Sequence, residues 1–399
     1  MVNAVYDHIV AILVVCVIFV GAVVVLPRLS IANIQEVDQQ QLRNTALNVF
    51  NTMLLDTGYP ISWGSMKPFY ANDPRVVRFG LASAKDTTFY VLDPDKVQRL
   101  VVGNPLNYCD YTKVRELLGL QDYGFLLRIV PPFNVTFNKI TVVKNQLLFN
   151  VSIFYLDGTP IPNAEAYATA VYTKGAPSKD KPNQQDDTKF GITQAGPVYS
   201  NALGVCIGVV NLDFDNPDYY TVVLRVTVSN VATLVVTSGQ DFENKIARVN
   251  VVNETVILTS WKDPPDYNFK PNENVWILDI VSFNGRGSIW HMFKGGKNGN
   301  DNMFNTGNGP FERWSRPFGG LNNFQPVIFV FNFWAVDNEN QNGRSQVLIY
   351  LAYPNLLSTN VFQYGGVPRN FNAVIKTQRS VIISGMTYTA ELWLWKETS

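Results

Sequence analysis

The stretch "LLDTGYPISWGS", Leu54 to Ser65, decides how the chain is read. Its first residues close a long helical pattern, Gly58 and Pro60 stop that pattern, and Trp63 follows within a few positions. Gly58 can take the left-handed conformation that closes a helix C-terminus, and Pro60 cannot continue the helix. Trp63 then reads as an apolar plug between a helix and a body. The stretch is a neck, and the segments on its two sides differ in kind.

On the N-terminal side, Ile9 to Leu26 reads "IVAILVVCVIFVGAVVVL", eighteen residues without a charge. As a helix at ~1.5 Å per residue this spans roughly 27 Å, close to the ~30 Å hydrocarbon core of a bilayer. It is expected to be a retained membrane span rather than a cleaved signal, because "MVNAVYDH" ahead of it holds no Lys or Arg. From Arg28 to Leu55 there is neither Gly nor Pro, and Ile31, Ile34, Val37, Leu42, Ala46, Val49 and Met53 recur at helical spacing. Two arrangements remain open. Either one helix continues through a kink at Pro27 as a rod of roughly 75 Å, or a span stops at Pro27 and a separate amphipathic helix lies on the body. Small residues that allow close helix packing are few in the span: Ala11, Gly21 and Ala22.

Composition narrows the function classes. The chain has 399 residues, 46% hydrophobic and 13% aromatic, enough for more than one core. Basic and acidic residues balance at 32 each, so there is no electrostatic case for a nucleic-acid partner. Only 16% are charged, a surface type at home outside a cell. Asn-x-Ser/Thr sequons at Asn134, Asn150 and Asn253 are glycosylation candidates and favour an outside body, against the weak opposite cue of Arg28. The expected localisation is a single-pass cell-membrane protein with its body extracellular. Cys16 lies in the apolar run, and Cys109 and Cys206 are a candidate disulfide whose approach no sequence can show.

Beyond the neck, "DPDKVQRLV" and "YTKVRELLGL" read as short helices and "YGFLLRIVP" as a strand, a small α+β head over 58–138. From about Lys139 the period becomes two. "LLFNVSIFYLDGTPIPNAEAYATAVYT" and "VCIGVVNLDFDNPDYYTVVLRVTV" supply strands around an Asp157-Gly158 turn, a β-sandwich over 139–237. "DFDNPD" at Asp213 to Asp218 reads as a solvated turn, with a calcium site as the alternative. The last part, 238–399, is an aromatic-rich β domain holding seven of the eight tryptophans. Its strands are read in "VWILDIVSF", "PVIFVFNFWAV", "SQVLIYLAY" and "TYTAELWLW". Between them, Gly295 to Gln325 is a long Gly- and Asn-rich loop in which Trp314 is a candidate binding residue.

Taken in order, the apolar helix with its amphipathic continuation over 1–57, the neck, "RFGLASA", "YVLDPDKVQRL" and "YTKVRELLGLQDYGFLLRI" resemble archaeal type IV pilin-like surface proteins. The likeness covers about residues 5 to 130, and the missing basic residue before the span departs from it. The resemblance implies a helix that bundles with copies of itself or with other pilin-like subunits, with Asp7 standing where pilins keep an acidic residue; a plain interfacial aspartate is the alternative. The "DGTPIPNA" turn resembles an immunoglobulin-like module of the carboxypeptidase-regulatory type. The expected fold class is mainly β with a long N-terminal α-helix: a pilin-like helix plus a small α+β head, followed by two β-sandwich-like modules.

No metal-binding His pair, Cys-x-x-Cys, nucleophile elbow, phosphate loop or dinucleotide fingerprint occurs. The chain is expected to be a non-enzymatic structural protein without cofactors. It is anchored or assembled through its helix, with Ile34, Val37, Leu42 and Val49 on the packing face. The alternative is a membrane-tethered module that binds glycans or cell-surface proteins.

Overall fold

Helix α1 (Val2–Leu55) contains only Gly21 and Pro27 as helix-weakening residues. The computed structural model describes residues 2–86, 88–102, 107–174, 189–238, 247–253, 255–260, 273–285, 287–294, 303–306, 312–317, 328–337, 343–354, 361–368 and 374–397. Near the end of α1, Leu42, Ala46, Val49, Phe50 and Met53 are buried at steps of three and four, one apolar stripe down the helix. Among the described residues the other helical pieces are short: a 3-10 turn at Trp63–Ser65, α2 (Pro94–Gln98) and α3 (Tyr111–Leu117).

The other regular elements of the described residues are strands, numbered along the chain. The stripe of α1 lies against a five-stranded sheet ordered β1 (Val91–Leu92), β19 (Val374–Ile383), β20 (Met386–Lys396), β2 (Tyr123–Val130) and β18 (Phe362–Gly365). On β20 the alternating Tyr388, Ala390, Leu392 and Leu394 join Phe125, Leu127 and Ile129 of β2 and the helix stripe in one core. Ser384 and Gly385, both at positive φ, make the two-residue turn between β19 and β20. β20 then pairs with β2 from Tyr123 opposite Lys396 to Val130 opposite Thr389. Gly124 has no side chain because Trp395 lies across it; an added Cβ would sit 2.4 Å from the indole.

A sandwich follows. Its first sheet is β3 (Asn134–Val143), β4 (Gln146–Phe154) and β7 (Val205–Asn211); its second is β6 (Lys189–Tyr199), β5 (Glu165–Lys174), β8 (Tyr219–Val228) and β9 (Val231–Ser238). Large residues of β4, Leu147, Phe149 and Val151, meet Ala166, Ala168 and Ala170 of β5 in a shared core, so bulk on one sheet fits space on the other. β5 and β8 are buried on both faces. Val171 and Val223 on their outer side belong to the same core as the helix stripe. That side meets a third sheet of β13 (Ile289–Lys294), β12 (Glu273–Phe283), β16 (Ile328–Asp337) and β17 (Gly343–Ala352), with β14 (Met303–Thr306) also paired to β12. A smaller sheet joins β10 (Ala247–Val252), β11 (Thr255–Ser260) and β15 (Glu312–Pro317).

The fold class expected from the sequence is corrected by this architecture. The chain is mainly β, but it is not a pilin-like helix and small head followed by two separate modules. β1 and β2 would make no sheet alone; β19 and β20, from the far end of the chain, lie between them. The packed part of α1 is the short stretch from Leu42 to Leu54. The single-pass anchor is corrected as well: among the described residues no helix is long and apolar enough to cross a membrane.

Deleting residues 374–399 removes the two strands between β1 and β2. The remaining chain is expected to lose cooperative unfolding by circular dichroism, whereas independent modules would leave a sharp transition for the sandwich and the neck.

Candidate functional site

The described residues concentrate their unusual chemistry at the two ends of α1. At the N-terminal end, Val10, Ile12, Leu13, Val14, Val15, Val17, Ile18, Phe19 and Val20 are each more than half exposed. They follow one another without a polar residue, so they surround the helix rather than line one side. At ~1.5 Å per residue this run lies roughly 33 Å along the helix from Leu42.

At the other end the helix is clamped. Its last turn has no basic residue of its own, and its free carbonyls are taken by the body: Met53 O accepts from Leu81 N at 2.8 Å and Asp56 O from Ala82 N at 3.0 Å. Gly58, at φ +72°, turns the chain, and its N–H donates to Asp56 Oδ1 at 2.7 Å. Trp63 then folds back fully buried. Its Nε1 donates to Gly80 O at 3.0 Å, and its ring packs on Phe69 and Phe79. Gly80 is required by close approach, since an added Cβ would stand 2.1 Å from Asp56 O.

Helix α2 closes the clamp with three buried ionisable groups. Asp93 caps it, accepting from Asp95 N at 2.9 Å, with Pro94 at the first position. Lys96 sends its ammonium under the neck, donating to Thr57 O at 2.9 Å and Ala82 O at 2.8 Å with Asp93 3.7 Å away. It thereby places a cation at the carboxyl end of α1. Burial lowers the Lys96 pKa while the Asp93 charge opposes that shift. Arg99 donates to Gly64 O and Met66 O at 2.8 Å and to Asn107 O at 3.2 Å, over the face of Phe69. Burial pulls its pKa down to about 10. Asp95 accepts from Tyr353 Oη at 2.7 Å, Gln98 Nε2 at 3.0 Å and the Asn253 N–H at 2.9 Å, tying α2 to the β10–β11 turn and the end of β17. Burial, helped by the charge of Asp93, pushes the Asp95 carboxyl up to about 6, against the hydrogen bonds from Tyr353 and Asn253.

The residues singled out from sequence fall in several places. Leu42 and Val49 are buried against the protein's own sheet, so they are not free to meet another subunit. Asp7, Gly21, Ala22, Pro27, Ile34 and Val37 lie on the α1 backbone, with their side chains outside those described. Asn134 is half-buried on β3, and its Oδ1 is buried without a hydrogen-bond partner. Asn150 faces outward from β4 and accepts from Asn138 Nδ2 at 3.0 Å; Asn253 is exposed in the β10–β11 turn at φ +46°. The Cys109–Cys206 disulfide is corrected: both are free thiols, buried in different cores, one with the helix stripe and one inside the sandwich. Trp314 lies on β15 opposite Leu258, its side chain outside those described. Asp213 is occupied by Tyr172 Oη at 2.8 Å, and among the described residues no group of His, Cys, Asp or Glu is arranged to hold a metal.

Sequence reasoning missed Phe50, Gly80, Asp95, Lys96 and Arg99. The available signal was the alternation of ionisable and apolar residues in "DPDKVQRL", which a five-residue helix between two packed surfaces cannot place entirely in solvent. The fold and clamp define a mainly β protein with an apolar helical segment held out from it. No protein-family model matches the chain, and no curated protein matches it.

Gly80→Ala should cost about 3 kcal/mol or more by denaturant melt, because neither the Asp56 carbonyl nor the β bridge around it can move freely. For Asp95 the sign follows from its raised pKa. The folded state holds the proton between the unfolded value of 3.8 and about 6, so its contribution to stability falls as pH rises through that window. The stability of wild type relative to Asp95→Asn should therefore drop by about 2 kcal/mol from pH 4 to pH 7, read from paired urea melts.

Proposed function

We propose that the chain is a non-enzymatic, pilin-like structural protein that assembles with copies of itself through the N-terminal part of α1 and carries its β layers on the outside of the assembly. The observation that supports this is the run Val10–Val20, apolar and exposed on every side. A helix hydrophobic all round is a buried helix, and exposed apolar surface at ~25 cal/mol per Å² is a strong drive to association. One neighbour would cover one stripe of such a helix. Several neighbours, each presenting the same segment, cover all of it, which is the geometry of a bundle or filament core.

The clamp gives the bundle something to carry. Its buried hydrogen bonds fix the exit of α1 from the body, so every copy would present its apolar segment in the same direction. The order of apolar helix, neck and short helices that resembles the pilin-like proteins is consistent with the same division of labour.

Sedimentation and negative-stain microscopy of the full chain in detergent-free buffer test this. Wild type should form large assemblies or filaments, and Val14→Asp with Ile18→Asp should give a dispersed monomer whose unfolding curve is unchanged. A dispersed wild-type monomer would overturn the proposal, and so would recovery of wild type only as isolated copies on lipid vesicles.

A further inference from the structure

A second site lies where the sandwich meets the third sheet. Arg225 stands on the outer face of β8 opposite Tyr167 of β5, with Thr169 and Val223 as the next pair. The turn from β12 to β13 passes over this face. Arg225 Nε donates to Gly285 O at 3.0 Å. Gly287, at φ +84°, runs along the guanidinium so closely that an added Cβ would lie 3.5–3.7 Å from Arg225 Cδ, Nε and Nη1. Turn and sheet together enclose a cleft of about 200 Å³.

The cleft has an apolar floor and a polar rim. Val223, Leu234 and Phe283 of the floor are buried, as is Thr169 beside them, and the rim carries Tyr167, Gln194, Arg225 and Ser288. Arg225 is its only charged lining residue among those described, and no ion pair between described residues involves it. The adjacent acid, Glu165, accepts from Tyr167 Oη at 3.1 Å and is not in the lining. With Nε engaged on Gly285, the two terminal nitrogens of the guanidinium remain as a planar fork, which matches the two oxygens of a carboxylate. A space below the roughly 300–1,000 Å³ of sites for drug-sized ligands takes one small ring rather than a chain of them. Hydroxyl and amide groups on the rim suit a ligand rich in hydroxyls, and the apolar floor suits the less polar face of a sugar ring.

We propose that this cleft binds a uronate, an acidic sugar residue whose carboxylate sits on Arg225 and whose ring lies over the Val223–Phe283 floor. The proposal is independent of self-assembly: it concerns the outer layers and holds for monomer or filament.

Equilibrium dialysis of the full chain at pH 7 against methyl glucuronide, methyl glucoside, inorganic phosphate and N-acetylaspartate decides it. Methyl glucuronide should bind one per chain, at least 10-fold tighter than each of the others, and Arg225→Gln should weaken it at least 10-fold. Equal binding of glucoside removes the carboxylate from the argument; equal binding of phosphate or N-acetylaspartate removes the sugar, the latter favouring an acidic peptide. No binding of glucuronide overturns the proposal outright. Should Arg225→Gln shift the melting curve by releasing the Gly285 contact, Gln194→Leu takes its place. It alters the rim without touching that contact, and unchanged glucuronide affinity in this variant counts against the site.

Discussion

The ammonium of Lys96, without solvent exposure and bonded to Thr57 O and Ala82 O, is the contact on which the rest depends. A buried cation is costly unless its donors are met, and here two carbonyls and Asp93 meet them. Conversely, removing it would leave the buried Ala82 carbonyl unpaired, a penalty of about 1–3 kcal/mol, and take a donor from the partly buried Thr57 carbonyl. The same contact bonds α2 to the neck just beyond α1 and to Ala82 beside the crossing of Gly58 and Gly80. Through Asp95, α2 is bonded to the β10–β11 turn and to Tyr353, so one short helix ties the neck to later parts of the chain.

The layers share one continuous core from the α1 stripe through β2 and β20 to Val223 of the sandwich and Val330 of the third sheet. Polar groups at its margins are handled as ion pairs: Glu391 on β20 is mostly buried and meets Arg128 at 3.3 Å and Lys376 at 2.7 Å. The cysteines need no oxidising surroundings in such a structure. Burial pushes the Cys109 thiol up to about 12, which leaves it a small apolar filler and a poor nucleophile.

Legibility in the sequence followed the range of the interaction. The end of the helix at Gly58 and Pro60, the burial of Trp63, and the strands in "PVIFVFNFWAV", "SQVLIYLAY" and "TYTAELWLW" were readable because each is set by local conformational preference or by period. Which strands pair was not, since an alternating pattern states that a face is buried and not against what; β20 beside β2 spans most of the chain. The clamp was hidden for a related reason. Lys96 and Arg99 bond to backbone carbonyls, which every residue has, so no partner residue type marks them in the sequence. Leu42 and Val49 were legible as a packing face, but periodicity is silent on whether that face meets a neighbour or the protein itself.

The position of β19 and β20 between β1 and β2 bears on how the protein is made. The apolar segment of α1 is translated before the sheet that seats the far end of that helix, which is finished only when β19 and β20 have been made. Until then the adhesive segment of the helix has no completed seat. A polypeptide released before β19 and β20 are made would carry the sticky segment without the completed body that directs it.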